Sequence, residues 1–180
     1  MNYSLEKLKF SLKIQIQILL IQLRILILRQ KLTIPNLPGP KAIVVHYEAG
    51  NLGFDGVNRY HEMIWGFKSS LGFYCGYHDY MELDSKIYKA RADNEEAAHC
   101  VEPGRPHYWN RNALSICIMG DNTKFTEEMK AELKGYLDRK RIKYGIPYSD
   151  VYAHQDIKST LCPGSLIYKW LQEYKNPIRS

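Results

Sequence analysis

Residues 41–46 read Lys-Ala-Ile-Val-Val-His, and residues 151–154 read Val-Tyr-Ala-His. In each stretch a short apolar run, typical of a buried strand, ends in a histidine. Residues 114–119 form a third apolar run of the same kind. Side chains that follow strands lie where loops meet a sheet and where binding sites are often built. His46 and His154 are therefore candidates for one common site.

The segments between these runs alternate between helix and strand patterns. Thr126 followed by two glutamates is typical of a helix start, and the apolar positions then continue at helical spacing as far as Gly145. The remaining predicted elements are a helix over 56–68, a hairpin of strands 74–83 and 86–91, loop-like residues 92–112 and a last helix from 163. This order predicts an α/β fold in which a mixed central β-sheet is flanked by helices.

Composition and charge limit the classes of function. The chain has 180 residues, of which 45% are hydrophobic and 12% aromatic, enough to build a core and to exclude wholesale disorder. Four cysteines are too few for a disulfide scaffold. Of the net charge of +6, residues 1–31 supply +5, so the rest carries +1. The globular part therefore has no charge pattern typical of nucleic-acid binding.

Residues 12–28, Leu-Lys-Ile-Gln-Ile-Gln-Ile-Leu-Leu-Ile-Gln-Leu-Arg-Ile-Leu-Ile-Leu, form the most apolar segment. Two series of apolar residues each have 4-3-4-3 spacing. The second series is shifted by two residues, so the two fall on nearly opposite sides of a helix. Such a helix suits a higher-order, coiled-coil-like bundle, and we expect homo-oligomerisation through residues 12–28. The prediction for the chain is thus a helical segment at 1–32, a proline-rich linker at 33–40 and a globular domain at 41–176.

Two other interpretations of this segment stay open. Ile14, Ile16 and Ile18 alternate with polar residues, as in a strand. Membrane association is possible but less favoured, because glutamines and Arg24 interrupt the apolar run. A signal peptide is also less favoured, since no small-residue cleavage site follows.

Cys162 adds a third candidate to the two histidines. It stands eight residues after His154 in Leu-Cys-Pro-Gly, where the proline and glycine favour a fixed turn. Two imidazoles and one thiolate can bind zinc with a fourth position open, which is typical of catalytic rather than structural zinc sites. Residue spacing alone does not identify such a site, because 108 residues separate His46 from His154.

Further motifs extend this pattern over residues 41–174: Arg59-Tyr-His61, Gly76-Tyr-His78, Ile87-Tyr-Lys-Ala-Arg91, Ala98-His99, Asn112-Ala-Leu-Ser-Ile-Cys-Ile-Met-Gly120, Ala153-His-Gln-Asp156 and Leu161-Cys-Pro-Gly164. In this order they resemble the zinc-dependent N-acetylmuramoyl-L-alanine amidases, a group that contains phage amidase endolysins and peptidoglycan recognition proteins. The resemblance implies that His46, His154 and Cys162 are ligands of a Zn²⁺ ion.

The resemblance also implies roles for residues around the metal. Tyr77 matches a tyrosine beside the metal water, and Thr160 matches a position that acts on the oxyanion. Lys158 is an alternative source of charge, although a solvated surface lysine is its simpler interpretation.

His99 and Asn112 match substrate-groove positions, with structural roles as the alternative. His61 is interpreted as a packed core histidine. Asp156 is expected either to orient His154 or to cap the turn.

Two positions differ from the family pattern. Tyr47 stands where a second histidine is usual, and Ser85 stands where the hairpin turn usually has glycine. Neither change removes a predicted ligand.

The resemblance implies hydrolysis of the amide between N-acetylmuramic acid and L-alanine in peptidoglycan, in cell-wall lysis or remodelling. Two alternatives stay open: a non-catalytic peptidoglycan-binding module, and a structural subunit of a virion or envelope assembly that carries the domain. Without a convincing signal peptide, we expect the protein to be made in the cytoplasm and to act on the cell wall.

Overall fold

The computed structural model describes residues 15–22, 39–120 and 123–176. The chain divides into two units, Met1–Asn36 and Leu37–Ser180. In the first unit residues 15–22 are helical (α1) and their isoleucines and leucines are exposed, in agreement with the helix interpretation. The rest of the predicted segment 12–28 lies outside the described residues. None of the helices described is both long and apolar enough to cross a bilayer.

A five-stranded sheet forms the centre of the second unit. Its strands are β1 (Ala42–Tyr47), β2 (Asp79–Met81), β3 (Ile87–Lys89), β4 (Ala113–Ile118) and β5 (Val151–Ala153), in the order β3-β2-β4-β1-β5. All neighbouring pairs are parallel except β2 with β3. The predicted mixed sheet is therefore confirmed. The two central strands β1 and β4 are buried almost throughout, as their continuous apolar sequences require.

Two helices, α4 (Glu127–Tyr144) and α5 (Ser165–Lys175), cover one face of the sheet and form its main core. As predicted, the Thr126 side chain accepts a hydrogen bond from the N–H of Met129. The helix ends at Gly145, whose φ of 66° is the left-handed conformation that glycine adopts without strain.

The helix α2 (Gly53–Trp65) packs on the opposite face. It begins and ends three residues earlier than predicted. Glu82, in the loop after β2, explains why the helix begins early. Its carboxylate accepts a hydrogen bond from the N–H of Phe54, in the first turn, at 2.7 Å. Val57 and His61 lie on the buried face of the helix, whereas Tyr60 is 49% exposed.

Two more predicted boundaries change. The hairpin strands are three residues each, shorter than predicted, because the N–H groups of Tyr74, Cys75 and His78 donate to side chains of α2 and β4 and not to a neighbouring strand. The predicted loop 92–112 contains a short helix, α3 (Tyr108–Asn112). The hairpin turn lies where expected, and Ser85 takes a φ of 69°, the conformation that glycine would adopt more easily.

Candidate metal centre

His46 and His154 lie side by side at the same edge of the sheet. β1 and β5 are parallel neighbours, and Val45 pairs with Ala153, so the residue after each pair is a histidine. Asp156 caps the turn that begins at His154, because its carboxylate accepts a hydrogen bond from the N–H of Ala153 at 2.9 Å. Of the two roles expected for Asp156, the structure shows the cap.

The loop that carries Cys162 is tied to both strands. The N–H of Gln155 donates to the carbonyl of Cys162 at 2.8 Å, and the N–H of Tyr47 donates to its Sγ at 3.4 Å. Sγ lies 3.7 Å from Nδ1 of His46. Tyr47 thus holds the sulfur of Cys162 through its backbone N–H, and this contact does not depend on whether the side chain is tyrosine or histidine.

These three side chains form a group of potential metal ligands, whose donor atoms all lie within 4.8 Å of one another. Tetrahedral zinc with bonds of about 2.0–2.3 Å separates nitrogen and sulfur ligands by roughly 3.6 Å, which agrees with the 3.7 Å between His46 and Cys162. Nε2 of His154 is buried and has no hydrogen-bond partner among the described residues. A buried polar atom without a partner is costly unless something else binds it. The donor set therefore fits a zinc ion.

Burial dominates the electrostatics of this group. It lowers the pKa of His46 well below its usual range, and the neighbouring His99 and His154 lower it further. Burial also raises the pKa of the Cys162 thiol to about 12, although the hydrogen bond from Tyr47 opposes this. Both imidazoles are therefore held neutral, as metal ligands must be.

Tyr77 lies next to this group, and α2 determines its place. Its ring centroid is 5.1 Å from that of His46. Asn58 of α2 accepts hydrogen bonds from the N–H groups of Tyr74 and Cys75. His61 of α2 accepts one from Gly76.

Tyr77 packs against a buried cluster that contains Cys117, a neighbour that the sequence reasoning missed. Cys117 is fully buried. It also pairs in register with His46 across β1 and β4, which brings it to the site. Burial, followed by the charge interaction with Cys117, raises the pKa of Tyr77 well above its usual range, so the hydroxyl keeps its proton and remains a donor.

His99 contacts His46 directly. Its Nδ1 lies 3.0 Å from Nε2 of His46, and its Nε2 lies 3.3 Å from the carbonyl oxygen of Trp109. Asn110, which the sequence reasoning also missed, fixes this loop by accepting hydrogen bonds from the N–H groups of His99 and Cys100. No sequence signal distinguished Asn110 within a segment interpreted as loop.

The other predicted site residues differ in their surroundings. Thr160 accepts a hydrogen bond from the N–H of Cys162 at 3.3 Å and is half-buried beside it. Lys158 is exposed, and its charge acts on His154, whose pKa is lowered first by burial and then by this lysine. Asn112 donates to the carbonyl of Tyr108 within α3. Their roles on substrate stay predictions.

Comparison with known proteins decides the family. The family model of N-acetylmuramoyl-L-alanine amidases matches residues 36–165, most of the chain. The chain belongs to the N-acetylmuramoyl-L-alanine amidase family. The resemblance on which the site residues were predicted is thereby confirmed at the level of the family. No curated protein sequence matches this amidase-family chain significantly.

Solved structures place the same fold in endolysins and recognition proteins. The N-acetylmuramoyl-L-alanine amidase LysC from Clostridium intestinale URNW is 26% identical with a TM-score of 0.63, over 78% of this chain and 86% of that one. The Ph2119 endolysin from Thermus scotoductus MAT2119 bacteriophage Ph2119 is 22% identical with a TM-score of 0.57, over 76% and 85%. Drosophila PGRP-LB is 21% identical with a TM-score of 0.57, over 72% and 78%. The last two likenesses show the amidase fold alone.

Proposed function

We propose that this chain is a zinc-dependent amidase that hydrolyses the bond between the lactyl group of N-acetylmuramic acid and L-alanine in peptidoglycan. The observation that carries the proposal is the convergence of the donor atoms of His46, His154 and Cys162, with Nε2 of His154 buried and without a hydrogen-bond partner in the described residues. The family match and the endolysin neighbours support peptidoglycan as the substrate. The protein would then act on the cell wall.

A zinc ion held there would supply an activated water and polarise the scissile carbonyl. The surrounding side chains would orient the substrate and stabilise developing charge. Tyr77 lies beside His46 and its raised pKa keeps the hydroxyl protonated, which supports a role as a donor to the oxyanion when the amide carbon becomes tetrahedral. Thr160 is the second candidate donor, and Lys158 would add positive charge from the exposed side of the loop.

The backbone also contributes to the proposed chemistry. The N–H of Tyr47 donates to the sulfur of Cys162, and such a donor favours the thiolate that metal binding requires. Because this donor belongs to the main chain of β1, it holds Sγ at a fixed distance from the histidine that precedes it. The two ligands are therefore preorganised by one strand.

Digestion of purified sacculi, combined with metal analysis, tests the proposal. Wild-type protein should carry one zinc per chain and release stem peptides that begin with L-alanine, without new reducing sugar ends. Cys162→Ser should lose the metal and the release, whereas Cys100→Ser should keep both, since Cys100 is buried outside the ligand group. Zinc bound by a wild type that releases no stem peptide would instead establish the non-catalytic binding module.

A further inference from the structure

A second histidine lies behind the metal ligand His46 and uses both of its ring nitrogens. Nδ1 of His99 faces Nε2 of His46 at 3.0 Å, and Nε2 of His99 faces the carbonyl oxygen of Trp109 at 3.3 Å. The two side chains are buried, with 1% and 7% of their residue surface exposed. The resemblance implies a place for His99 near the substrate groove, with a structural role as the alternative, and both of its ring nitrogens contact the protein here.

The carbonyl of Trp109 determines which nitrogen of His99 carries the proton. A carbonyl oxygen can only accept, so Nε2 of His99 must be the N–H. In a neutral imidazole the other nitrogen is then an acceptor, which leaves Nδ1 of His99 with a lone pair. Across the 3.0 Å contact, Nε2 of His46 must therefore be the donor.

The tautomer of His46 determines which of its nitrogens is available at the proposed metal site. If Nε2 of His46 carries the proton, its Nδ1 has the free lone pair, and this atom lies 3.7 Å from Sγ of Cys162. The opposite tautomer would place a proton where a metal ligand needs an electron pair. We infer that His99 is a positioning residue, which fixes His46 in the tautomer able to bind metal through Nδ1. This inference rests on the zinc centre proposed above.

The orientation of His99 is itself well determined. Its backbone N–H and that of Cys100 both donate to the buried side-chain oxygen of Asn110, each at 2.9 Å. The N–H of Ala98 donates to the carbonyl of Gly76 at 2.8 Å. The loop is thus anchored on both sides of His99, so the ring is held against His46 before any metal arrives.

The first test reads the tautomer in the metal-free protein. Long-range proton–nitrogen NMR on wild type labelled with ¹⁵N-histidine should show His46 and His99 both as Nε2–H, with unprotonated Nδ1. A proton on Nδ1 of His46 would overturn the inference. This measurement requires neither zinc nor catalysis, so it decides the inference even if the proposed amidase activity fails.

The second test measures zinc affinity by competition with a chelator. His99→Leu, which removes the acceptor, should weaken binding by ~10–100-fold, as is usual for groups that orient a ligand. His99→Asn offers an oxygen near the position of Nδ1 and should recover most of the affinity. The control His107→Leu, an exposed histidine of the same loop that pairs with Glu96, should bind as wild type does.

Two results of the second test would contradict the inference. One is wild-type affinity in His99→Leu, and the other is an Asn variant as weak as the Leu variant, which would indicate packing rather than hydrogen bonding. If His99→Leu does not fold, the tautomer of the wild type remains decisive. A wild type that binds zinc but hydrolyses nothing would count only against the proposed function.

Discussion

Nδ1 of His61 accepts a hydrogen bond from the backbone N–H of Gly76 at 2.9 Å, and this contact joins α2 to the residue that precedes Tyr77. The histidine is buried, and its ring stacks on Trp65 with centroids 4.4 Å apart. The burial agrees with the interpretation of His61 as a packed core histidine, and the hydrogen bond gives this residue a defined role. Its imidazole satisfies a backbone donor that would otherwise be buried without a partner, and it fixes the approach to the tyrosine.

Replacement of Gly76 by alanine should disturb this approach. The new Cβ would lie 2.8 Å from the carbonyl oxygen of Ala98 and 2.9 Å from the ring of Trp65, and the backbone contact cannot be relieved by a rotamer change. We expect a loss of about 1–3 kcal/mol in the free energy of unfolding, measured in urea, with lower turnover on sacculi because Tyr77 moves.

Gly39→Ala provides the matched control for this substitution. Its Cβ would meet the Tyr144 ring at an ordinary 3.7 Å, so its stability should stay near that of wild type. Equal stability of the Gly76→Ala variant and this control would show that the segment before Tyr77 is not tightly held.

Tyr77→Phe tests the hydroxyl rather than the ring. If the hydroxyl donates to the oxyanion, turnover should fall by ~10²–10³-fold while zinc content and fold are kept. Substrate binding should change little, because the interaction strengthens only as charge develops. Steady-state rates of stem-peptide release separate the effect on turnover from the effect on substrate binding.

Tyr152→Phe is the matched control for Tyr77→Phe, since its hydroxyl contacts Asp150. We expect activity near wild type in this variant. A Tyr77→Phe variant within about twofold of wild type would remove Tyr77 from the mechanism and leave Thr160 and Lys158 as candidates.

The sequence predicts the parts of the site that depend on local position. His46 and His154 each follow an apolar run, and parallel strands bring their ends to the same edge. The contact of Cys117 with Tyr77 depends instead on strand order. Only the placement of β4 beside β1 puts Cys117 opposite His46, and no local pattern specifies that order.

The same distinction explains the shifted bounds of α2 and the contact of His99 with His46, which no local pattern indicated. Several apolar residues of α2 lie at helical spacing on more than one side, so the pattern does not decide which side is buried. Glu82, 28 residues away from Phe54, starts the helix. Asn110 holds the loop of His99 through its side chain, and this contact lies within a segment that has no periodicity in sequence.

Removal of residues 1–31 tests the predicted oligomerisation. Isoleucines and leucines of the helical residues 15–22 are about half or more exposed within their own chain, which is unfavourable in water unless another surface covers them. Full-length protein should therefore sediment and scatter light as an oligomer, and the truncated chain as a monomer with sacculus activity kept. The same mass per particle for both forms would contradict assembly through this segment.

Asp93 links the hairpin to α4 through a cluster of donors. Its carboxylate accepts hydrogen bonds from Lys140 and Tyr144, each at 2.6 Å, from Lys143 at 3.2 Å and from Lys89. Burial raises the pKa of this carboxyl, but the hydrogen bonds from Lys140, Lys89 and Tyr144 outweigh it and hold the pKa far below its usual range. The folded state therefore favours the ionised carboxylate.

The sign of the pH dependence follows from this lowered pKa. The stabilisation is fully present above the unfolded pKa of about 4 and is lost as the pH falls toward the folded pKa, because the unfolded chain then binds a proton that the folded one does not. Asp93→Asn should cost about 1.5–3 kcal/mol in the free energy of unfolding at pH 7. The difference from wild type should shrink below pH ~4. Urea titrations of wild type and variant at pH 7 and pH 3 measure this difference. The control Glu132→Gln removes an exposed ion pair of the same helix, and its free energy of unfolding should stay within about 0.5 kcal/mol of wild type. A difference that is the same at both pH values would show that Asp93 stabilises the fold by packing and not by charge.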